Sequence, residues 1–406
     1  MNVVLSKSAL ENVSKHKYSG IDDSILAKLV LQKYWNFCLR FVPLNIAPNL
    51  ITLTGTITIL LSFFIVGYYS PYLEGTLPTW VYAMSGLTLF FYQTMDNLDG
   101  KQARRTGSSS PLGQLFDHGC DSIVCTLQSL IVASVASYGV GYMSLIQLFT
   151  TALLPFWMAT WEEYHTGVLH LGPINGPDEG IVIIVLALLS TAVFGNSFWT
   201  YQPFVASSSS SSSSSSLLPR VIQQLLPEFI QRLMINEIIV ASLSLPCLIT
   251  CFFNIKHVVQ HLRAKGKPIL PALKHILVWV IITASSFIWY YTSTNLLPLS
   301  SIWFNNIRTV QFSIGIIFGE LVSRLILAHM CHEKYDIIQA PLYPLILSTI
   351  CSSFNYFNGK EIIPENLLLI LFAITSFVHY SLFVKSTISQ LCSYLNIKCF
   401  TITKKH

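Results

Sequence analysis

The residues best suited to do chemistry lie in one polar stretch, residues 96–122, which reads DNLDGKQARRTGSSSPLGQLFDHGCDS. Asp96 and Asp99 are three residues apart, and Asp117 and Asp121 are four apart. Each spacing places two side chains on one face of a helix. Two neighbouring helix ends can therefore point four carboxylates at one place.

This group of acids predicts a site for divalent cations. Four unpaired carboxylates at a membrane boundary would repel one another and lose solvation. Mg²⁺ takes oxygen ligands and shares its coordination shell with substrate phosphates. Two such ions would neutralise the acids and leave positions open for a diphosphate, and a two-metal site clamps the attacking and leaving oxygens of a phosphoryl transfer.

The residues between the two acidic pairs fit a phosphate ligand. Gly100 and Ala103 leave room for a flat base or for a close backbone. Three basic residues offer positive charge to phosphate, which arginine can supply in a bidentate manner: Lys101, Arg104 and Arg105. Without the aspartates, anchoring to lipid headgroups would be the preferred interpretation of these cations. Residues 107–113 read as a turn-rich linker.

The composition indicates that these residues belong to a membrane protein. Of the 406 residues, 52% are hydrophobic and 11% are charged, whereas soluble domains carry about 25% charged residues. Residues 122–160 contain no Asp, Glu, Lys or Arg, which is enough chain for two membrane helices of roughly 20 residues each. The net charge of +5, with no basic run interleaved with aromatics, argues against nucleic-acid binding. The nine cysteines show neither a zinc spacing nor a disulfide framework.

The sequence predicts an all-α polytopic membrane protein with about ten transmembrane helices. The apolar spans are 50–70, 79–95, 122–140, 142–160, 180–199, 236–254, 270–291, 309–330, 339–354 and 365–385. Residues 22–40 show apolar residues at helical spacing, which predicts either an amphipathic helix lying on the membrane or one packed on the protein. A run of ten serines, residues 207–216, is expected to be disordered.

These patterns divide the chain into five parts. They are a cytosolic N-terminal segment with the interfacial helix (1–49), catalytic helices (50–200), a loop with the serine run (201–235), further transmembrane helices for the lipid acceptor or a dimer contact (236–390) and a cytosolic tail (391–406). Lys and Arg set the orientation, because they favour the cytosolic side. With a cytosolic N-terminus, that side receives six of them in residues 1–49 and four in 255–269. The acidic stretch then faces the cytosol.

The acidic stretch resembles the complete signature of the CDP-alcohol phosphotransferase family. The pattern DxxDGxxAR, eight residues, then GxxxDxxxD begins at Asp96 and ends at Asp121. Within that family, residues 103–122 resemble the eukaryotic choline/ethanolamine phosphotransferases. The likeness extends to APNLIT at 47–52, WEEYHTG at 161–167 and NGPDEG at 175–180.

The resemblance implies an activity and a set of site residues. Such enzymes transfer phosphocholine or phosphoethanolamine from CDP-choline or CDP-ethanolamine to diacylglycerol, and they require Mg²⁺ or Mn²⁺. By position, two metal ions would be held by Asp96, Asp99, Asp117 and Asp121. The CDP site would be lined by Asn49, Gly100, Ala103, Arg104 and Gly113. The resemblance also implies a homodimer in the endoplasmic reticulum or Golgi membrane.

The base that deprotonates the acceptor hydroxyl has two candidates. Asp121 is the candidate in the family at large, and His118 is placed by its residue type to take a proton near neutral pH. The alternative for His118 is a hydrogen bond that orients a metal-binding aspartate. Glu179 is a further catalytic candidate that would orient His118 or the acceptor, unless it only stabilises a helix N-terminus.

The sequence leaves the headgroup open. A quaternary ammonium prefers aromatic rings, which Tyr92 and Trp161 would supply, and a primary ammonium prefers acceptors such as Glu162 and Glu163. Two other functions remain as alternatives. One is transfer to inositol or glycerol phosphate, and the other is transport of divalent cations by intramembrane acids. The absence of basic residues from 161–179 favours an uncharged lipid acceptor, and the grouping of the acids at one edge speaks against a transporter.

Overall fold

The computed structural model describes residues 4–205, 227–298 and 300–402. The serine run predicted to be disordered, residues 207–216, lies outside the described residues.

Long helices make up the body of the protein. In chain order they are α3 (Pro48–Tyr69), α4 (Thr79–Thr106), α5 (Pro111–Val135), α6 (Tyr142–Gln147) continuing through a π-helical segment (Leu148–Leu153) into α7 (Leu154–Thr166), α8 (Ile181–Phe194), α10 (Ile235–Ala264), α12 (Ile276–Leu296), α14 (Ile307–Cys331), α15 (Leu342–Phe357) and α16 (Glu365–Leu395). Eight helical stretches of the described chain are long and apolar enough to cross a membrane. Each of the ten predicted spans overlaps one of these helices. The prediction of an all-α polytopic membrane protein is confirmed.

Short elements complete the described fold. They are α1 (Lys7–Lys15), β1 (Gly20–Asp22), a π-helical turn (Ala27–Leu31), α2 (Gln32–Cys38), a 3₁₀ turn (Leu39–Phe41), β2 (Leu169–Leu171), a π-helical turn (Gly176–Gly180), α9 (Glu228–Gln231), α11 (Leu270–Lys274) and α13 (Ile302–Asn305). The two strands pair in parallel, with Ile21 opposite His170. This pairing ties the N-terminal segment to the loop after α7.

The helices that carry the acids are longer than predicted. Helix α4 continues eleven residues beyond the predicted end at 95, and α5 begins eleven residues before the predicted start at 122. Gly107 ends α4 with a φ of 65°, in the left-handed region that glycine adopts without strain. Ser110 caps α5 by accepting a hydrogen bond from the Gly113 amide at 3.1 Å. Hydropathy detects only the apolar part of a helix, so it missed the polar end of α4 and the polar start of α5. As a result, the linker between them is four residues long rather than the seven predicted.

Helix α14 lies at the centre of the protein. In its most apolar stretch 89% of the residues are buried, and it packs against α5, α7 and α16. Gly315 and Gly319 let α5 approach closely, because a Cβ on Gly315 would lie 2.6 Å from Cβ of Thr126 and one on Gly319 would lie 2.6 Å from Cδ1 of Ile123. Helix α5, which carries Asp117 and Asp121, therefore packs directly against the central helix α14.

The segment predicted as an amphipathic helix has two different faces. Ala27, Leu31 and Trp35 are buried in a cluster with Ile51 of α3 and Leu98 of α4. The other face exposes large apolar side chains, including Leu29, Val30 and Phe37. The segment thus combines the two predicted alternatives, since one face packs on the protein and the other presents apolar area to its surroundings.

Candidate active site

Helices α4 and α5 bring the four predicted aspartates together. The carboxylate of Asp96 lies within hydrogen-bonding range of those of Asp117 and Asp121, and the carboxylate of Asp99 lies within the same range of Asp117. Asp99 is buried and the other three are partly buried. The spacing on each helix, together with the short turn that joins the end of α4 to the start of α5, produces this convergence.

The four carboxylates differ in their partners. The Thr52 hydroxyl donates a hydrogen bond to Asp99, and the Tyr92 hydroxyl donates one to Asp121. Oδ1 of Asp96 and Oδ1 of Asp117 are buried and have no hydrogen-bond partner among the residues described. No lysine or arginine in the described ranges forms an ion pair with any of the four.

Such an arrangement fits bound divalent cations. Buried anionic oxygens without partners are costly, and a cation relieves both their mutual repulsion and their lost hydration. All donors in the group are oxygens, the ligands that Mg²⁺ and Mn²⁺ prefer. The residues present therefore fit the metal ions that the sequence predicts.

His118 lies on α5 beside these carboxylates. One donor atom of Asp117, one of His118 and one of Asp121 lie within 4.8 Å of one another. Nδ1 of His118 is buried and has no hydrogen-bond partner within the described parts of the chain. The imidazole is therefore free either to accept a proton or to support an aspartate.

The N-terminal segment contributes a residue that the sequence analysis missed. The ring of Tyr18 lies 6.1 Å from that of His118, measured between centroids. Burial, followed by the nearby carboxylates of Glu163 and Asp117, raises the pKa of the Tyr18 hydroxyl well above its ordinary value. The hydroxyl stays protonated near neutral pH and is a hydrogen-bond donor at the edge of the acidic site. Since 78 residues separate Tyr18 from Asp96, no local pattern could have identified it.

The predicted nucleotide-binding residues lie at the N-terminal ends of α3 and α5 and near the C-terminal end of α4. A Cβ on Gly113 would lie 3.6 Å from Oδ1 of Asn49, so these two residues are neighbours. Nδ2 of Asn49 donates to the carbonyl oxygen of Cys399 at 3.0 Å. The C-terminal segment thus lies beside this part of the site, where the ring of Phe400 is 5.6 Å from that of Phe116.

Only one of the three basic residues on α4 is free to meet a ligand. Lys101 donates to Gln32 at 2.6 Å, and Arg105 donates to the carbonyl oxygen of Leu39 at 2.8 Å; both therefore anchor the N-terminal helices. Arg104 is exposed, and its Nη1 lies 3.5 Å from where a Cβ on Gly100 would be. Gly100 and Arg104 thus share one open surface of α4, and the partly buried Ala103 lies one residue before Arg104.

Comparison with known proteins decides the family. A family model described as CDP-alcohol phosphatidyltransferase matches residues 45–204. Class-I family protein 3 of the CDP-alcohol phosphatidyltransferase family in Dictyostelium discoideum is 90% identical over 406 residues, which is 100% of both chains. The chain belongs to the CDP-alcohol phosphatidyltransferase family. It is a membrane-embedded transferase of this type.

Two relatives with more specific names also match over nearly their whole length. Choline/ethanolaminephosphotransferase 2 of Arabidopsis thaliana is 37% identical over 399 residues, covering 97% of each chain. Choline/ethanolaminephosphotransferase 1 of Saccharomyces cerevisiae is 30% identical over 420 residues, covering 100% of this chain and 99% of the relative. The resemblance of the chain to this branch of the family is therefore confirmed. Membership of a transferase family also argues against the alternative of a cation transporter.

Glu179 of this family member holds the N-terminal segment in place. Its Oε1 accepts hydrogen bonds from Oγ of Ser24 at 2.6 Å and from the Leu26 amide at 3.0 Å. Its Oε2 accepts one from the Asn175 amide at 3.0 Å. None of these partners is His118, so the position of Glu179 supports a structural role better than the predicted catalytic one.

The predicted headgroup residues separate into different environments. Trp161 is fully buried, and its Nε1 donates to the carbonyl oxygen of Ala272 at 3.1 Å. Tyr92 is buried and its hydroxyl is engaged by Asp121. Neither aromatic ring is placed to form an open cage for a quaternary ammonium group, which differs from the prediction because both positions face the core.

The two adjacent glutamates point to different neighbours. Oε1 of Glu163 accepts a hydrogen bond from Nε2 of Gln114 at 3.0 Å, and Oε1 of Gln114 lies 2.9 Å from Nε2 of His16. Glu163 also interacts electrostatically with His118. Glu162 instead contacts Asn254 and His257 of α10. Of the two, only Glu163 lies beside the acidic site.

Proposed function

We propose that the protein transfers phosphocholine, phosphoethanolamine or both from the CDP-alcohol to the hydroxyl of 1,2-diacylglycerol. The products are phosphatidylcholine or phosphatidylethanolamine, and CMP. The observation that carries this proposal is the convergence of four carboxylates, two of which have a buried oxygen without a partner. The names of the relatives in Arabidopsis and yeast support the two donors.

An apolar groove beside the acids supports a lipid acceptor. The groove, of about 80 Å³, is lined by α5 and α16, with Gly119 and Cys120 at the side of α5 and Phe383 and Val384 at the side of α16. Cys120 in this lining interacts electrostatically with Asp121, Asp99 and Asp96, so the groove lies beside the acidic site. Its lining includes no lysine or arginine. A phosphate-bearing acceptor such as glycerol phosphate would need such a cation to bind its charge.

Each part of the proposed reaction has residues to perform it. Two Mg²⁺ or Mn²⁺ ions held by Asp96, Asp99, Asp117 and Asp121 would supply charge neutralisation for the diphosphate of the CDP-alcohol. Thr52 and Tyr92 orient two of these carboxylates through their hydroxyl groups. Arg104 offers a guanidinium group to phosphate, while Asn49 and Gly113 lie where the nucleotide end would bind.

The chemical step forms one bond and breaks another. The hydroxyl oxygen of diacylglycerol bonds to the phosphorus that bears the alcohol, the bond from that phosphorus to the bridging oxygen breaks, and CMP leaves with that oxygen. His118 accepts the hydroxyl proton, since its Nδ1 has no partner within the described chain, whereas Oδ1 of Asp121 already accepts from Tyr92.

A reconstituted assay tests the activity. The full chain in lipid vesicles containing diacylglycerol is supplied with labelled CDP-choline or CDP-ethanolamine in parallel. We expect labelled phospholipid and CMP with Mg²⁺ or Mn²⁺, and neither product after chelation with EDTA. Asp117→Asn serves as the inactive control. Transfer from neither donor with either metal, or transfer only when inositol or glycerol phosphate is added, would refute the proposal.

The cellular setting is part of the same proposal. The protein is proposed to reside in the endoplasmic reticulum or Golgi membrane, with the acidic site facing the cytosol, and to form a homodimer. Fluorescence microscopy of the tagged chain with organelle markers tests the residence. Native mass spectrometry in detergent tests the dimer, and a single mass corresponding to one chain would contradict it.

A further inference from the structure

A second group of possible metal ligands lies apart from the four aspartates. It consists of Glu162 in the last turn of α7, His170 in the middle of β2 and His257 on α10, and is called here the Glu162 triad. One donor atom from each of the three residues lies within 4.8 Å of the other two. We propose that the Glu162 triad binds one transition-metal cation of the Zn²⁺ class, separate from the catalytic ions.

The burial of the triad suits a bound cation. The side chain of Glu162 is only 5% exposed, whereas those of His170 and His257 are 34% and 41% exposed. A buried carboxylate needs a positive partner, and the two half-exposed imidazoles leave a path for an ion to enter from solvent.

The surrounding hydrogen bonds resemble the support that metal ligands require. Within the triad, Nδ1 of His257 lies 3.0 Å from Oε1 of Glu162. Outside it, Nε2 of His170 lies 3.3 Å from Oδ2 of Asp23, which supports this one histidine from a neighbouring carboxylate. Metal-binding histidines commonly pair their other ring nitrogen with a carboxylate, which fixes the ring orientation. Asn254 donates to Glu162. Oδ1 of Asn254 is buried without a hydrogen-bond partner in the described part of the chain. A ligand at the triad could supply that partner.

The donor set distinguishes this site from the catalytic one. Two imidazoles and one carboxylate are a ligand set for Zn²⁺, with a fourth position open to water. Mg²⁺ prefers oxygen ligands only, so it should bind at the aspartates and leave the Glu162 triad to a transition metal. A cation here would join α7, β2 and α10, and through Asp23 it would also fix the segment that follows β1.

Metal content measured on the full chain tests the proposal. Protein without a histidine tag, in lipid nanodiscs and excess Mg²⁺, is exposed to Zn²⁺, freed of unbound metal and analysed for zinc. We expect the wild type to retain one equivalent, and His170→Ala and His257→Ala to retain almost none. His261→Ala, which removes a histidine one turn further along α10, is the matched control and should retain one equivalent.

Two further measurements guard against misfolding of the variants. Asp23→Asn alters only a half-exposed side chain, and we expect it to keep the stoichiometry while weakening zinc affinity by about ten- to a hundredfold. Co²⁺ bound to the wild type should give the visible absorption of a four-coordinate site. Equal zinc retention by the wild type, His170→Ala and His257→Ala, or no zinc in the wild type, would overturn the proposal. The readout needs no turnover, so the result is independent of the proposed transferase activity.

Discussion

At the scale of single residues, the acidic site contains two kinds of carboxylate. Asp99 and Asp121 each accept a hydrogen bond from a hydroxyl group, of Thr52 and Tyr92 respectively. Asp96 and Asp117 each keep a buried oxygen without a partner in the described ranges. The first pair is oriented by the protein before any ligand binds, and the second pair depends more strongly on bound cations for its charge balance.

Replacing Tyr92 tests this orientation. Tyr92→Phe keeps the ring but removes the hydroxyl that donates to Asp121. Because lost support for a metal ligand commonly weakens metal affinity or activity ten- to a hundredfold, we expect the activation curve for Mg²⁺ to shift to higher concentration by about that factor. Tyr82→Phe, which alters another buried tyrosine of α4, is the control. Identical Mg²⁺ curves for both variants would show that the hydroxyl does not support the site.

Replacing His118 tests the proposed base. General-base catalysis contributes about 10²- to 10⁴-fold to a rate, so His118→Ala should lower kcat by a factor in that range while its KM for the CDP-alcohol changes little. The limb of the pH–rate profile that reports deprotonation of the base should also disappear. Near-normal turnover would exclude His118 as the base, and a shifted Mg²⁺ curve with an intact pH profile would favour the orienting role instead.

At the scale of elements, the site depends on how the N-terminal segment and α14 hold α4 and α5. Lys101 and Arg105 of α4 anchor the N-terminal helices, and Glu179 fastens Ser24 and Leu26. On the opposite side, α5 lies against the glycines of α14. We expect substitutions in either contact to lower the stability of the fold more than they lower the rate of the reaction.

Glu179 separates a structural role from a catalytic one. Glu179→Ala leaves the Ser24 hydroxyl and two backbone amides without their acceptor, and hydrogen bonds to charged groups contribute about 1.5–3 kcal/mol each. We expect a lower melting temperature and largely retained kcat in the folded fraction. The exposed Glu228 provides the control variant Glu228→Ala. An unchanged melting temperature with a large loss of kcat would restore the catalytic role that the sequence predicted.

Gly315 tests the close packing of α5 on α14. In Gly315→Ala the new Cβ meets the branched side chain of Thr126, and overpacking of this kind costs about 1–3 kcal/mol. We expect lower thermal stability, measured in detergent. In Gly141→Ala nothing lies within 4 Å of the new Cβ and the backbone φ is −71°, so this control should melt like the wild type. Equal stability of the two variants would contradict the packing.

At the scale of the whole molecule, the connections between helices divide into two sets. At one end, hydrogen bonds join Arg308 to Ser70, Asn236 to Ala136 and Asn196 to Gly75. At the other end, they join Asn12 to Cys331, Tyr164 to Glu333 and Asn49 to Cys399. The second set contains the N-terminal segment and the residues near the acidic site, so both lie at the same end of the helices.

Glycosylation mapping tests the orientation. An acceptor sequon inserted with a flexible linker at Gly359, in the turn between α15 and α16, should be glycosylated in microsomes, because this turn belongs to the predicted non-cytosolic side. The same insertion at Gly266, between α10 and α11, should remain unmodified. The reverse pattern would place the acidic site on the lumenal side and would rule out direct access of cytosolic CDP-alcohols.

The sequence by itself determined the helices and the acidic pairs. A long apolar stretch must be helical in a membrane, because no water is present there to satisfy its backbone. The spacing of Asp96 from Asp99 and of Asp117 from Asp121 fixes which side chains share a helix face. These are local properties, and the structure has a helix at each predicted span and brings the four carboxylates together.

Only the tertiary structure decided which distant residues meet. Tyr18 and Thr52 reach the acidic site from other elements, and Glu162 joins histidines that lie 8 and 95 residues further along the chain. Adjacent glutamates on α7 turn to different neighbours because successive side chains on a helix point in different directions. Such contacts depend on how helices pack and rotate against one another, and helix packing is set by the sum of many side chains rather than by any local pattern.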